Sequence, residues 1–279
     1  EEAFERMEKA LPRAAQIAAW IGGIYLFLTV LCGVLYFVAG MAGFEAINHA
    51  MTTVATGGYS TRDSSIGFYQ SAWVDIIATV FMVAGSLPFL LYFQAIRGKI
   101  TDLFRDSQVQ WFLSILGFSI LVMILYLWRV EEWELGRAVR LALFNITSVM
   151  TGTGYATDDF ALWGALAMPM FFMLMFIGGC AGSTAGGIKM IRVLMIYLQG
   201  MREVKRLIHP NGVFTIKLGK ESVSDRRVDA VWSFFSVYVF FFLLFIPVAA
   251  CARVFLSKCW SSKCYLSFWR GLRFLKIAP

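Results

Sequence analysis

The sequence predicts an all-α membrane protein built from a repeated unit of long helix, short helix, loop and long helix. Two observations carry that prediction. Long apolar blocks without charge recur along the 279 residues. The stretch Thr52-Thr53-Val54-Ala55-Thr56-Gly57-Gly58-Tyr59-Ser60-Thr61 also returns, altered, 96 residues later (from 52 to 148) as Ser148-Val149-Met150-Thr151-Gly152-Thr153-Gly154-Tyr155-Ala156-Thr157. Each copy follows an apolar segment too short to cross a bilayer and lies between segments long enough to do so.

Composition supports the membrane assignment. The chain is 59% apolar and 15% charged, against roughly 45–50% and about 25% in soluble domains. Residues 14–40, 76–96, 109–128, 160–188 and 230–252 carry no charge. About 20 apolar residues cross the hydrocarbon, so all five blocks can span. The first is not read as a cleaved signal peptide: Glu1, Glu2, Glu5 and Glu8 precede it, it is too long, and no small-residue cleavage site is evident.

The net charge of +7 sits between spans. Arg97, Lys99 and Arg105 separate the second and third spans. Arg202, Lys205, Arg206, Lys217, Lys220, Arg226 and Arg227 separate the fourth and fifth. Both groups face one side if the short segments dip in and return, and basic loops face the cytoplasm. The other side carries Glu45, Asp63, Glu131, Glu132, Glu134, Asp158 and Asp159. The charge therefore reads as membrane orientation and not as a nucleic-acid surface.

Taken in order, residues 1–13 form a charged cytoplasmic approach, helical by pattern. The chain starts without Met or a targeting feature, so it is expected to begin inside a longer protein. The first span covers 14–40, the first short helix 44–53 and its loop 54–61. The second span, 72–96, is interrupted by Gly85-Ser86-Leu87-Pro88, and a proline inside a helix removes a backbone bond and kinks it. The third span is 109–128, the second short helix 136–150 and its loop 151–157. A return helix follows over 162–198, and a fifth span over 228–252 opens a further unit.

The loops carry the chemistry. A backbone that replaces the hydration shell of an ion must aim several carbonyls at one axis. That requires alternating backbone handedness, which glycine permits at little steric cost. Ala55, Thr56, Gly57 and Gly58, and Thr151, Gly152, Thr153 and Gly154, have the required makeup. Each short helix would point its partially negative C-terminus at a cation near the membrane centre. The competing reading is an ordinary surface hairpin, which duplication between spans disfavours. Only Gly58 and Gly154 occupy a glycine position shared by both copies, and neither copy reads TVGYG. A modest preference for potassium over sodium is expected.

Gly178-Gly179-Cys180-Ala181-Gly182-Ser183-Thr184-Ala185-Gly186-Gly187 interrupts the fourth span. Glycine costs a helix roughly 1 kcal/mol relative to alanine, so this stretch should leave the helical path and form a gate below the loops. Gly178, Gly179, Gly182, Ser183, Thr184, Gly186, Gly187 and Lys189 are its candidate residues. Lys189 and Arg192 follow the glycines, and a charge so near the membrane interior is usually functional. Two alternatives compete. Gly178, Gly182 and Gly186 repeat every four residues, the pattern of close helix packing. A phosphate-binding loop would end in Gly-Lys-Ser/Thr, whereas Ile188 follows Gly187.

The remaining polar residues suggest structure. His49 reads as a packed or capping side chain, His209 as a turn residue, and Asp75 as a carboxylate solvated at a span edge. Cys32 and Cys180 read as small apolar fillers. No Ser-His-Asp, paired-carboxylate or metal constellation is visible, so neither an enzyme nor a resident cofactor is expected.

His49-Ala50-Met51-Thr52-Thr53-Val54-Ala55-Thr56-Gly57-Gly58-Tyr59-Ser60-Thr61, the run from Phe176 to Met190, and Lys205-Arg206-Leu207-Ile208-His209-Pro210-Asn211 resemble the TrkH branch of the Trk/Ktr/HKT potassium-uptake superfamily. The resemblance covers about residues 14–245. It implies four membrane–pore–membrane repeats of potassium-channel type around one pore in the bacterial cytoplasmic (inner) membrane. It also implies a homodimer and a cytosolic nucleotide-binding partner of TrkA type. Residues 14–98 and 99–198 would be the second and third repeats, with Gly58 and Gly154 as filter glycines and 178–189 as the gating loop. The segment 199–227 would face the partner, and 228–252 would be the first span of a truncated fourth repeat. The basic tail 253–279 resembles no family segment, and a shifted reading frame or a divergent tail would explain it. The expected function is potassium uptake through a backbone-carbonyl filter. The alternative is an inactive truncated fragment, since the chain supplies two of four filter quadrants.

Overall fold

The computed structural model describes residues 2–96, 98, 100–209, 212, 214–218 and 221–261; for residues 2–14, 100, 217–218, 221–222 and 246–261 it describes the backbone alone. Arg97, Lys99 and Lys220, and the predicted tail beyond Ser261, lie outside the described residues. The chain divides into two compact units, the first ending at Ser222 and the second beginning at Val223.

The first unit opens with α1 (Glu2–Val38), in which the approach segment and first span form one continuous helix. Its apolar part is Ala15–Val38. Gly40, at φ +101°, ends it: its N–H donates to Phe37 O and that of Met41 to Tyr36 O. Such a left-handed stop suits glycine. The chain reverses into α2 (Gly43–Val54), which packs along α1.

The second span is two helices, α3 (Ala72–Ser86) and α4 (Phe89–Ile96), bent by 94°. Pro88 lacks the N–H that would continue the ladder, so Leu87 N–H and the Tyr92 hydroxyl satisfy Ala84 O instead, at 3.3 and 2.8 Å. The sequence anticipates a kink here but not a near right angle.

After α5 (Ile100–Arg105), Asp106 caps α6 (Ser107–Arg129), accepting from the backbone N–H of Gln108 and Val109 at 2.9 and 3.2 Å. A side-chain oxygen at this position supplies a partner for N–H groups that the helix cannot satisfy. The second short helix is α7 (Leu135–Met150).

The predicted return helix over 162–198 does not exist as one element. It is α8 (Ala167–Phe176), a non-helical stretch from Ile177 to Lys189, and α9 (Met190–Ile208). The four-residue glycine spacing therefore serves no helix–helix seam. His209 follows α9 as its cap. A two-residue hairpin, β1 (Lys217–Leu218) with β2 (Glu221–Ser222), closes the unit. In the second unit, α10 (Asp225–Ser261) carries the fifth span, and the helix continues past the expected end at 252.

Two apolar clusters hold the first unit. One gathers Phe112, Met123, Leu127, Ala142, Ile146, Met150, Trp163 and Phe171 from α6, α7, α8 and the turn between the last two. The other gathers Cys32, Tyr36, Ala46, Ala50, Val54, Ala78 and Met82 from α1, α2 and α3, and takes in Phe144 of α7 and Tyr155 beyond it. The second cluster therefore joins the two copies. Large apolar side chains, including Leu26, Phe27, Phe37, Phe118 and Leu121, stay exposed along α1 and α6. Lipid is the solvent such faces require. Cys32 and Cys180 are buried and free, as apolar fillers should be.

Candidate functional site

The two Thr/Gly loops repeat each other in hydrogen bonding. In the first, Ala55 N–H donates to Met51 O at 3.1 Å, Thr56 N–H to Thr53 O at 3.1 Å and Gly57 N–H to Thr52 O at 2.7 Å. In the second, Thr151 N–H donates to Thr147 O at 2.9 Å, Gly152 N–H to Val149 O at 3.1 Å and Thr153 N–H to Ser148 O at 3.0 Å. Every pair is related by the same 96-residue step.

Backbone handedness follows the same step. Gly58 and Gly154 have φ +68° and +85°, and Thr56 and Gly152 have φ +49° and +74°. The sequence shows one shared glycine position; the structure shows two shared left-handed positions, one occupied by threonine. A β-branched residue is strained there, by about 1–3 kcal/mol. The surrounding bonds hold it in place, including a 2.8 Å bond from the Thr56 hydroxyl to Ala55 O.

Side chains clamp each loop to its own short helix. The Thr52 hydroxyl donates to Tyr59 O at 2.9 Å, and the Ser148 hydroxyl to Tyr155 O at 2.6 Å. His49 and Asn145 are equivalent one turn earlier. Each bonds the carbonyl four residues before it, Glu45 O at 2.8 Å and Leu141 O at 2.9 Å. Each also reaches a hydroxyl near the far end of its own loop, Ser60 at 2.9 Å and Thr157 at 2.7 Å. A carbonyl only accepts, so His49 Nδ1 carries a proton and donates to Glu45 O. His49 is a packed, bonded residue, as its sequence position suggested.

The two loops touch. A Cβ built on Gly58 would overlap the carbonyl oxygen of Thr153 and lie 2.8 Å from its carbonyl carbon. Around them, Gly67 N–H donates to Ala156 O at 3.2 Å, and the Ser65 hydroxyl accepts from Ala156 N–H at 3.3 Å. Asp75 corrects its sequence reading. It is not a solvated edge carboxylate but is 3% exposed, with Arg140 Nε 2.6 Å from its Oδ2. This pair bolts α3 to α7.

The glycine-rich segment fills the space beside these loops. Its ends clasp: Gly178 N–H donates to Ile188 O at 2.9 Å and Ile188 N–H to Phe176 O at 3.3 Å. A Cβ on Gly178 would overlap Gly186 O, so glycine is required there. The middle of the segment supplies what the α3–α4 break lacks. In a continuous helix Gly85 O and Ser86 O would accept from residues 89 and 90. Here Gly85 O accepts from Thr184 N–H at 3.1 Å, Ser86 O from Cys180 N–H at 2.9 Å, and Phe89 N–H donates to Gly182 O at 3.0 Å. Buried backbone groups must find partners, and the break and the segment complete each other.

Thr184 also reaches the first loop. Its hydroxyl proton is shared between Val54 O at 2.8 Å and Gly85 O at 2.9 Å. Ala181 N–H donates to the Gln108 side chain at 3.1 Å. On the second loop's side, a Cβ on Gly152 would come within 3.6 Å of Gly186 N. Lys189 turns its ammonium back onto the segment's own carbonyls, Ser183 O and Ala185 O.

The structure thus brings Ala55–Gly58, Thr151–Gly154 and the glycine-rich segment together. The sequence reading missed Tyr36, Thr53, Tyr155, Gln108 and the Asp75–Arg140 pair as contributors. One signal was available: the 96-residue step pairs Thr52 with Ser148 and His49 with Asn145, and hydrogen-bonding side chains persist at both positions.

The family model for TrkH, a cation transport protein, matches residues 1–253. The Trk system potassium uptake protein TrkH of Halomonas elongata is 41% identical over 244 residues, covering 87% of this chain and 51% of that protein. The Escherichia coli K12 protein of the same name is 37% identical over 238 residues, covering 85% and 49%. The crystal structure of the potassium transporter TrkH from Vibrio parahaemolyticus aligns with a TM-score of 0.79 at 39% identity, over 84% of this chain and 51% of that one. The chain spans about half the length of these relatives. With its membrane-length apolar helices and this coverage, it belongs to the TrkH family of cation transport proteins.

Proposed function

We propose that this chain forms part of the potassium path of a Trk-type uptake system in the bacterial cytoplasmic membrane. One observation carries the reading: two abutting loops alternate left-handed residues in the same register, at Thr56 and Gly58 and at Gly152 and Gly154. Alternation turns successive carbonyls toward a common side, as replacing a hydration shell requires. The filter residues are Ala55, Thr56, Gly57 and Gly58 with Thr151, Gly152, Thr153 and Gly154. The C-terminal ends of α2 and α7 add partial negative charge beside them. Potassium is the cargo, drawn inward by the membrane potential.

The segment 178–189 serves as the gate. It bonds to Val54 O, at the C-terminal end of α2, and to the α3–α4 break. Opening it requires exchanging those bonds, and Lys189 holds its folded form. The family likeness supports a homodimer and a cytosolic nucleotide-binding partner of TrkA type, with the basic segment 199–227 as the facing surface.

Expression in a bacterium lacking potassium uptake tests the reading. Growth at low potassium, together with rubidium uptake that Gly58→Ala abolishes, is the expected result. Expression in the membrane without rubidium uptake contradicts the proposal and favours an inert chain.

A further inference from the structure

Tyr59 and Tyr155 occupy equivalent positions, one residue past the shared filter glycine, yet their surroundings differ. Tyr59 is 80% exposed and Tyr155 is 2% exposed. Tyr155 leaves its own loop and enters the first copy. Its hydroxyl meets Thr52 Oγ1, and lies 3.3 Å from Thr53 Oγ1 and 3.2 Å from His49 O. Tyr36 of α1 joins the cluster from behind, 3.0 Å from Thr53 Oγ1.

Counting protons fixes one link of this network, the bond between Tyr36 and Thr53. Each hydroxyl has one proton to give. Thr53 donates to His49 O at 2.6 Å, so it accepts from Tyr36. The Thr52 hydroxyl lies 2.9 Å from Tyr59 O, 3.0 Å from Asn48 O and 3.3 Å from His49 O, and also meets the Tyr155 hydroxyl. The contacts run from the second loop's tyrosine, through Thr52, to a carbonyl of the first loop. Hydrogen bonds in series polarise and strengthen one another. The second copy lacks the hydroxyl of Thr53, because Val149 stands at that position. The network is therefore built toward the first loop.

We propose that Tyr155 is a positioning residue for ion discrimination. Resting on the potassium reading above, it sets the height and spacing of the first loop, residues 55–59, from the second repeat. It touches no ion. It fixes Tyr59 O through Thr52, and so limits how far the first loop can contract around a cation smaller than potassium.

Four variants test this: Tyr155→Phe, which removes one hydroxyl and keeps the ring; Thr52→Val, which breaks the relay; Thr52→Ser, which keeps it with the residue the second copy uses; and Tyr59→Phe, at the exposed equivalent. Two measurements are made on the whole chain in liposomes: amide hydrogen exchange across both loops, and the rubidium-to-sodium flux ratio. Tyr155→Phe and Thr52→Val should speed exchange at Gly57 and Gly58 about fivefold to tenfold, as loss of one net hydrogen bond does. They should lower the flux ratio by a similar factor and leave the amides of 151–154 unchanged. Thr52→Ser and Tyr59→Phe should match the unaltered chain.

Unchanged exchange at Gly57 and Gly58 overturns the proposal. So does equal loosening of both loops, which marks Tyr155 as a general packing residue. So does faster exchange with an unchanged flux ratio. If the unaltered chain shows no preference for rubidium, the potassium reading fails instead, and the exchange pattern alone decides whether Tyr155 positions the first loop.

Discussion

Gly58→Ala should be far more damaging than Gly154→Ala, although the sequence presents the two glycines as equivalents. Both have positive φ, +68° and +85°, so an added Cβ costs each about 1–2 kcal/mol in the left-handed region. The space around them differs. Nothing lies within 4 Å of a Cβ at Gly154, whereas one at Gly58 overlaps the carbonyl of Thr153. That neighbour is backbone and cannot rotate away. Relief requires moving the second loop by more than an ångström, and forced overpacking adds about 1–3 kcal/mol. Gly58→Ala should therefore cost about 2–5 kcal/mol and Gly154→Ala only the conformational part. Thermal unfolding in detergent reads the difference. Rubidium flux reads its consequence, because the displaced atom is Thr153 O of the proposed filter. Equal destabilisation by the two substitutions would refute the claim that the loops abut at this point.

Three further outcomes follow. Thr184→Val removes the hydroxyl shared by Val54 O and Gly85 O; losing about 1 kcal/mol of net bonding should raise basal rubidium leak about fivefold, and unchanged leak would separate Thr184 from gating. Arg140→Gln strands the buried Asp75 carboxylate and should lower stability by about 1–3 kcal/mol, with Asp75→Asn restoring part of the loss in the double variant; a neutral Arg140→Gln would show the bolt to be dispensable. Glu45, at the head of α2, is held below the usual carboxylate range by the Tyr69 hydroxyl at 2.7 Å and by Arg62 at 2.6 Å. A lowered carboxyl adds stability above its unfolded pKa and loses it as pH falls through the folded value. Glu45→Gln should therefore lower stability at neutral pH and flatten the acid limb below about pH 4.5, the ordinary glutamate range, so that the two profiles converge as pH falls; an unaltered acid limb would contradict the assignment.

The spans and short helices were legible because each rests on local pattern. Charge-free blocks of membrane length gave α1, α6 and α10. The Thr/Gly stretches gave the loops, and the density of glycine between Gly178 and Gly187 gave the departure from helix. Pro88 marked the α3–α4 break but not its 94° angle. That angle depends on what receives Gly85 O and Ser86 O, and those partners lie about a hundred residues away in the glycine-rich segment. Asp75 was misread for the same reason: its partner, Arg140, is 65 residues distant and belongs to the other copy. The left-handed backbone of Thr56 was not legible because it is imposed by the loop's bonding and not by the residue's own preference. Tyr155 and Tyr59 are identical in type and register and differ only in what the fold packs against them.

Anomalous diffraction from the protein crystallised in rubidium tests the central claim most directly. The account predicts a rubidium peak bounded by backbone carbonyls of residues 55–58 and 151–154, weakened when sodium replaces rubidium. Rubidium held elsewhere, with those carbonyls turned away from it, would contradict the account.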